Sequence, residues 1–109
     1  MPPRDIREYQ IILEYGIAIR VRTNRLMNNI EHFTAQLEYY HEAQEKWLPV
    51  VRYDSAHGQA HIDYIDPSGR EYDKVWIGLF EPFNQALNAA IDELRDDYPT
   101  HIARFKEQL

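Results

Sequence analysis

The chain has no cysteine among its 109 residues. That excludes a disulfide framework, a cysteine-ligated zinc finger and a thiol nucleophile. It also lacks any apolar run long enough to span a membrane, and its opening "MPPRDIREYQ" holds no signal-peptide stretch. A cytoplasmic protein with no membrane partner is the expectation. There is no repeat, no low-complexity segment and no linker, so residues 1–109 read as a single domain, large enough to bury a core without staples. An excess of positive charge is missing too. The net charge is −6, which argues against broad binding to phosphate backbones.

The charge is uneven. Residues 1–30 hold five basic and three acidic groups, whereas residues 31–109 hold seven and fifteen. Arg20, Arg22 and Arg25 could attract an anion, but the solvated face of an ordinary strand is the preferred reading. Eight tyrosines, four phenylalanines and two tryptophans speak for a packed sheet and against disorder.

Period-two alternation dominates the first two thirds of the chain. Ile17, Ile19 and Val21 alternate with Ala18, Arg20 and Arg22, the pattern of a half-buried strand. Tyr9, Ile11, Leu13 and Tyr15 extend this alternation across Gly16. Residues 5–15 therefore read as part of one long bent strand, although Asp5 and Glu8 have capping-box spacing and Gly16 could end a helix. After the turn-rich "NRLMNN" come strands around Phe33–Tyr39, Trp47–Asp54, Gln59–Asp66 and Arg70–Gly78. Pro49 marks a bulged or edge position, and "DPSG" a turn. The period then changes. Phe83, Leu87, Ile91, Leu94, Tyr98, Ile102, Phe105 and Leu109 step by four or three, an amphipathic helix with Pro82 as its first residue and a kink at Pro99. The expected fold is α+β: an antiparallel sheet of about five strands with a long, Pro-kinked C-terminal helix packed on one face.

The stretch "RYDSAHGQAHID", Arg52 to Asp63, concentrates chemistry. If Ser55–Gly58 is a four-residue loop, the apolar pattern pairs Asp54 with Gln59, Arg52 with His61 and Val50 with Asp63. Arg52, Asp54, His61 and Asp63 then share the face opposite Val51 and Tyr53, with His57 at the loop end. An imidazole between a guanidinium and carboxylates suits acid–base work near neutral pH. Three uses compete. Two histidines and an arginine can cleave RNA without metal, His57 and His61 exchanging protons while Arg52 stabilises the phosphorane and Asp54 or Asp63 orients a ring. His57, His61 and Asp63 could instead hold a divalent metal. Or the set is a structural hydrogen-bonded network, an outcome about as common as function. Tyr53 points inward as core, while His32, His41 and His101 read as surface residues. Lys74 could join the polar face. Trp47 and Trp76 read as core or interface aromatics. Exposed aromatics and edge strands make a homodimer the expected assembly.

From Phe33 onward the sequence resembles a family of small uncharacterised prokaryotic domains marked by an R-Y-D-x-A-H-G-x-x-H-x-D core. The resemblance makes Arg52, Tyr53, Asp54, His57, Gly58, His61 and Asp63 its signature positions and carries no activity with it. More loosely, "RYD" followed by paired histidines is similar to the TumE-like toxins, short α+β proteins of bacterial toxin–antitoxin pairs whose core is of the R-Y-D-N-A-x-H-H type; here Ser55 stands at the asparagine position and the histidine spacing differs. That similarity implies an RNA substrate, ribonuclease activity and a cognate antitoxin as partner.

Overall fold

The computed structural model describes residues 4–78 and 82–109. Among the described residues six strands form one antiparallel sheet in sequence order: β1 (Asp5–Glu14), β2 (Ile17–Leu26), β3 (Asn29–His41), β4 (Lys46–Asp54), β5 (His61–Ile65) and β6 (Glu71–Trp76). One α-helix among them, α1 (Asn84–Lys106), packs against β3 and β4. The expected α+β architecture holds, with six strands in place of five.

The additional strand arises at Gly16. The alternation through Tyr9–Tyr15 is strand, but the chain reverses there. β1 and β2 pair as a hairpin, Ile11 opposite Ile19 and Tyr9 opposite Val21. Gly16 adopts φ +77°, a conformation that suits a residue without Cβ. Period-two patterning is blind to such a reversal, because both arms of a hairpin keep the same inward parity.

One face of the sheet is oily. Ile17, Ile19 and Val21 of β2, Phe33, Ala35 and Leu37 of β3, and Leu48, Val51 and Tyr53 of β4 meet Phe83, Leu87, Leu94, Ile102 and Phe105 of α1 in one core. At Pro49 the ladder slips as expected. Leu37 faces Val51 and Glu38 faces Pro49, so Val50 is the additional residue and joins Val51 in the core. β5 pairs only with Val51–Asp54, which leaves Pro49 on a stretch of β4 where its missing N–H breaks no bond toward β5.

The helix begins two residues later than the sequence suggests. Pro82 precedes it, and Phe83 stands at the cap position. Phe83 N–H donates to Ile30 O at 2.9 Å. Asn84 accepts from Ile30 N at 3.1 Å and donates to Asn28 O at 2.9 Å. The β2–β3 turn thus fixes where the helix starts. From there α1 runs without interruption through Pro99. Among the described residues no helix is long and apolar enough to cross a membrane.

Candidate functional site

The β4–β5 connection is longer than the four residues inferred from the pattern. Tyr53 faces Ile62, Asp54 faces His61 and Arg52 faces Asp63. The register is displaced by two residues, so Arg52 stands opposite Asp63 and not His61. The cause is Ser55, which bonds to β3 rather than turning toward β5. Its N–H donates to Phe33 O at 3.2 Å and its buried Oγ accepts from Phe33 N at 2.8 Å. A short 3₁₀ turn, Ala56–Gly58, follows, and Asp54 Oδ1 steadies it by accepting from Ala56 N at 2.7 Å. Because the displacement is even, every side chain keeps its face.

That face carries two polar rows across all six strands. One runs Gln10, Arg20, Gln36, Arg52, Asp63, Lys74. The other runs Glu8, Arg22, Thr34, Asp54, His61, Trp76. The rows are internally neutralised. Arg20 lies 3.5 Å from Glu8 and donates to Glu38 at 3.2 Å. Gln36 donates to the buried Glu38 at 2.7 Å and accepts from Arg52 Nε at 2.8 Å. The Arg52 guanidinium then reaches over β5 to Glu71 on β6, at 3.5 Å.

Among the described side chains, the candidate residues His61 and Asp63 meet. His61 Nε2 lies 3.2 Å from Asp63 Oδ2, and Asp63 Oδ1 lies 2.8 Å from Lys74 Nζ. The contact with Asp63 holds the Lys74 ammonium above the usual lysine range, against a smaller opposing effect of burial. His61 Nδ1 faces Gln59 O at 3.3 Å. Both neighbours of the ring are acceptors, so both contacts are hydrogen bonds only when the ring carries two protons. His61 and Asp63 are 2% and 3% exposed. They are not sealed by α1, which lies on the other face, but by the Trp76 ring, 5.2 Å from the imidazole, with Lys74 stacked 5.5 Å from that ring. The sequence reading placed these two groups on an open patch. The structure keeps them on the expected face but buries them, because β6 side chains fold over them.

Asp54 is occupied with the loop and with His32 at 3.7 Å. The His57 side chain, and with it the proposed proton exchange and the His57–His61–Asp63 metal set, lies outside the described residues. Among the described residues no three His, Asp or Glu side chains are grouped to hold a metal ion.

A second titratable cluster lies on the helix side. Tyr53 Oη donates to Glu93 at 2.6 Å, and His101 Nε2 contacts the same carboxylate at 3.0 Å. Burial pushes the Glu93 carboxyl up, but the bonds from His101 and Tyr53 outweigh it and hold the group below the usual carboxylate range. Burial, reinforced by the bond to Glu93, drives the Tyr53 phenol well above its ordinary value. His101 was expected at the surface and is 8% exposed, its Nδ1 without a hydrogen-bond partner among the described residues. One signal could have found it. Glu93 precedes Leu94 of the apolar stripe as His101 precedes Ile102, so both flank the stripe on the same side.

The chain belongs to a family described as a domain of unknown function (DUF7718), whose model matches residues 1–109. No curated protein and no solved structure matches it.

Proposed function

We propose that this member of a family of unknown function is a non-catalytic protein-interaction module, in which Arg52, Asp54, His61 and Asp63 are scaffolding that fixes the outer strand β6. The observation that carries the reading is His61. A general acid or base must reach the proton it moves, and this ring is 2% exposed with both nitrogens occupied. Its neighbours tie β6 down instead. Lys74 and Trp76 of β6 close over the His61–Asp63 pair, and Arg52 anchors Glu71 at the start of the same strand. The strand so held and the residue after it present Tyr72, Val75, Trp76 and Ile77, each at least 38% exposed. An exposed apolar and aromatic patch of this kind is a docking surface for a protein partner.

A toxin-like ribonuclease, cytoplasmic and restrained by a cognate antitoxin, is the second reading. The imidazole–carboxylate couple of His61 and Asp63 favours it, since a carboxylate orients a proton-transferring ring. The cover over the imidazole is one indole that is itself 52% exposed. In this reading the ring swings away, His61 and His57 exchange protons, and Arg52 meets the phosphate. The experiment separates the two. Under the first reading the purified protein leaves single-stranded RNA intact, its production does not arrest bacterial growth, and His61→Asn lowers the thermal midpoint. RNA cleavage or growth arrest that disappears in a folded His61→Asn variant would replace the first reading with the second.

A further inference from the structure

β1 is ten residues long and is the outermost strand of the sheet, unpaired on its outer side among the described residues. Such an edge is a template for another strand unless proline, lysine or a bulge blunts it. β1 contains no proline and no lysine, and its register irregularity falls at its end, between Ile12 and Glu14. The opposite edge differs. β6 has six residues, carries Lys74, and is bulged where Tyr64 faces Asp73 but Ile65 faces Glu71.

The charges of β1 are engaged within the chain. Asp5 and Arg7 pair at 2.7 Å, Glu8 lies beside Arg20 and Arg22, and Glu14 accepts from Tyr98 Oη at 2.7 Å. Among these exposed but internally paired charges, β1 also exposes three large apolar side chains: Ile6 at 57%, Tyr9 at 41% and Ile12 at 62%. Ile6 and Ile12 share the helix-free face with Glu8 and Gln10.

We propose that β1 pairs antiparallel with β1 of a second copy about a two-fold axis through Tyr9, joining two sheets into one. A closed dimer needs an axis normal to the sheet, and such an axis sets each residue against one on the same face. Centred on Tyr9, Ile6 meets Ile12 of the second copy twice, Glu8 meets Gln10, Arg7 meets Ile11 and Tyr9 meets itself. No like charges oppose one another, and the two most exposed isoleucines cover each other. The neighbouring registers fail. Centring on Glu8 or Arg7 sets that charge against itself, centring on Ile11 sets Glu8 against Glu14, and centring on Gln10 sets both exposed isoleucines against carboxylates, Ile6 against Glu14 and Ile12 against Glu8. Like charges directly opposed in a ladder are destabilising. The inference is independent of the reading given to β6 and His61.

Sedimentation across the micromolar range tests it, together with disulfide trapping, since any introduced cysteine is the chain's sole thiol. Wild type sediments as a dimer. Ile6→Lys/Ile12→Lys sediments as a monomer with unchanged circular dichroism and thermal midpoint. Under mild oxidation Tyr9→Cys cross-links, because directly opposed Cα atoms lie about 4.5–5.5 Å apart, within disulfide reach. Arg7→Cys does not, because its two thiols would sit about 13 Å apart along the ladder. A wild type that stays monomeric, a dimer untouched by the two lysines, or equal cross-linking at Arg7 and Tyr9 would each overturn the proposal.

Discussion

The Tyr53 hydroxyl sits between sheet and helix and gives its hydrogen bond to a carboxylate that His101 also contacts. Tyr53→Phe removes a bond to a charged acceptor, and such bonds contribute about 1.5–3 kcal/mol; denaturant unfolding at neutral pH should register a loss of that order. The sign with pH follows from Glu93. Its carboxyl is depressed in the folded state, so its contribution is present above the ordinary carboxylate range and is lost as pH falls through the folded value. As pH falls below the ordinary carboxylate range, wild type should therefore lose stability more steeply than Tyr53→Phe. Lys74 has the opposite sign. Its raised ammonium contributes below the ordinary lysine value and stops contributing as pH rises through the folded one. Lys74→Ala leaves a buried Asp63 with His61 alone. Because the lysine side chain is 38% exposed, the expected cost is about 1–2 kcal/mol, below that of breaking a fully buried pair. In an Asp63→Asn background the same change should have almost no effect, which a double-mutant cycle reads directly. The sequence pattern disclosed the face of Arg52, Asp54, His61 and Asp63, because a face depends only on parity. It did not disclose which of them touch, because that depends on Ser55 preferring Phe33 to a tight turn, and no local periodicity records a bond to another strand.

At the scale of the elements, the strands and the helix were legible wherever a period ran undisturbed. Phe33–Tyr39 and the stripe from Phe83 to Phe105 fall within β3 and the Phe83-capped α1. Leu109, the last residue of that stripe, is 54% exposed, beyond the end of the helix at Lys106. What escaped was the reversal at Gly16, since one glycine between two alternating runs is compatible with a bend as well as a hairpin. The structure predicts the consequence of replacing it. A Cβ at Gly16 would meet Tyr40 Cβ at 3.9 Å, an ordinary contact, so the strain comes from φ +77° alone. Gly16→Ala should cost about 1–2 kcal/mol, and thermal unfolding should show it without loss of the fold.

The whole molecule measures 47 × 25 × 23 Å, elongated because a six-stranded open sheet is covered by one helix. That helix contributes Phe83, Leu87, Leu94, Ile102 and Phe105 to the core, all 4% exposed or less. At about 1.5–3 kcal/mol for each large side chain buried, they contribute on the order of the whole net stability of a small domain, about 5–15 kcal/mol. A chain ending before Pro82 should therefore fail to give a soluble folded protein, judged by circular dichroism and size-exclusion chromatography. The inward faces of β2, β3 and β4 would then have nothing over them.

The strand order, each strand beside its predecessor, also bears on biosynthesis. A nascent chain can zip hairpin onto hairpin as it leaves the ribosome, since no strand must wait for a distant mate. The helix joins last, because its buried residues follow all six strands in the chain. Until then the half-built sheet carries a greasy underside, and the interval between the sixth strand's emergence and the docking of α1 is when a chaperone has most to shield.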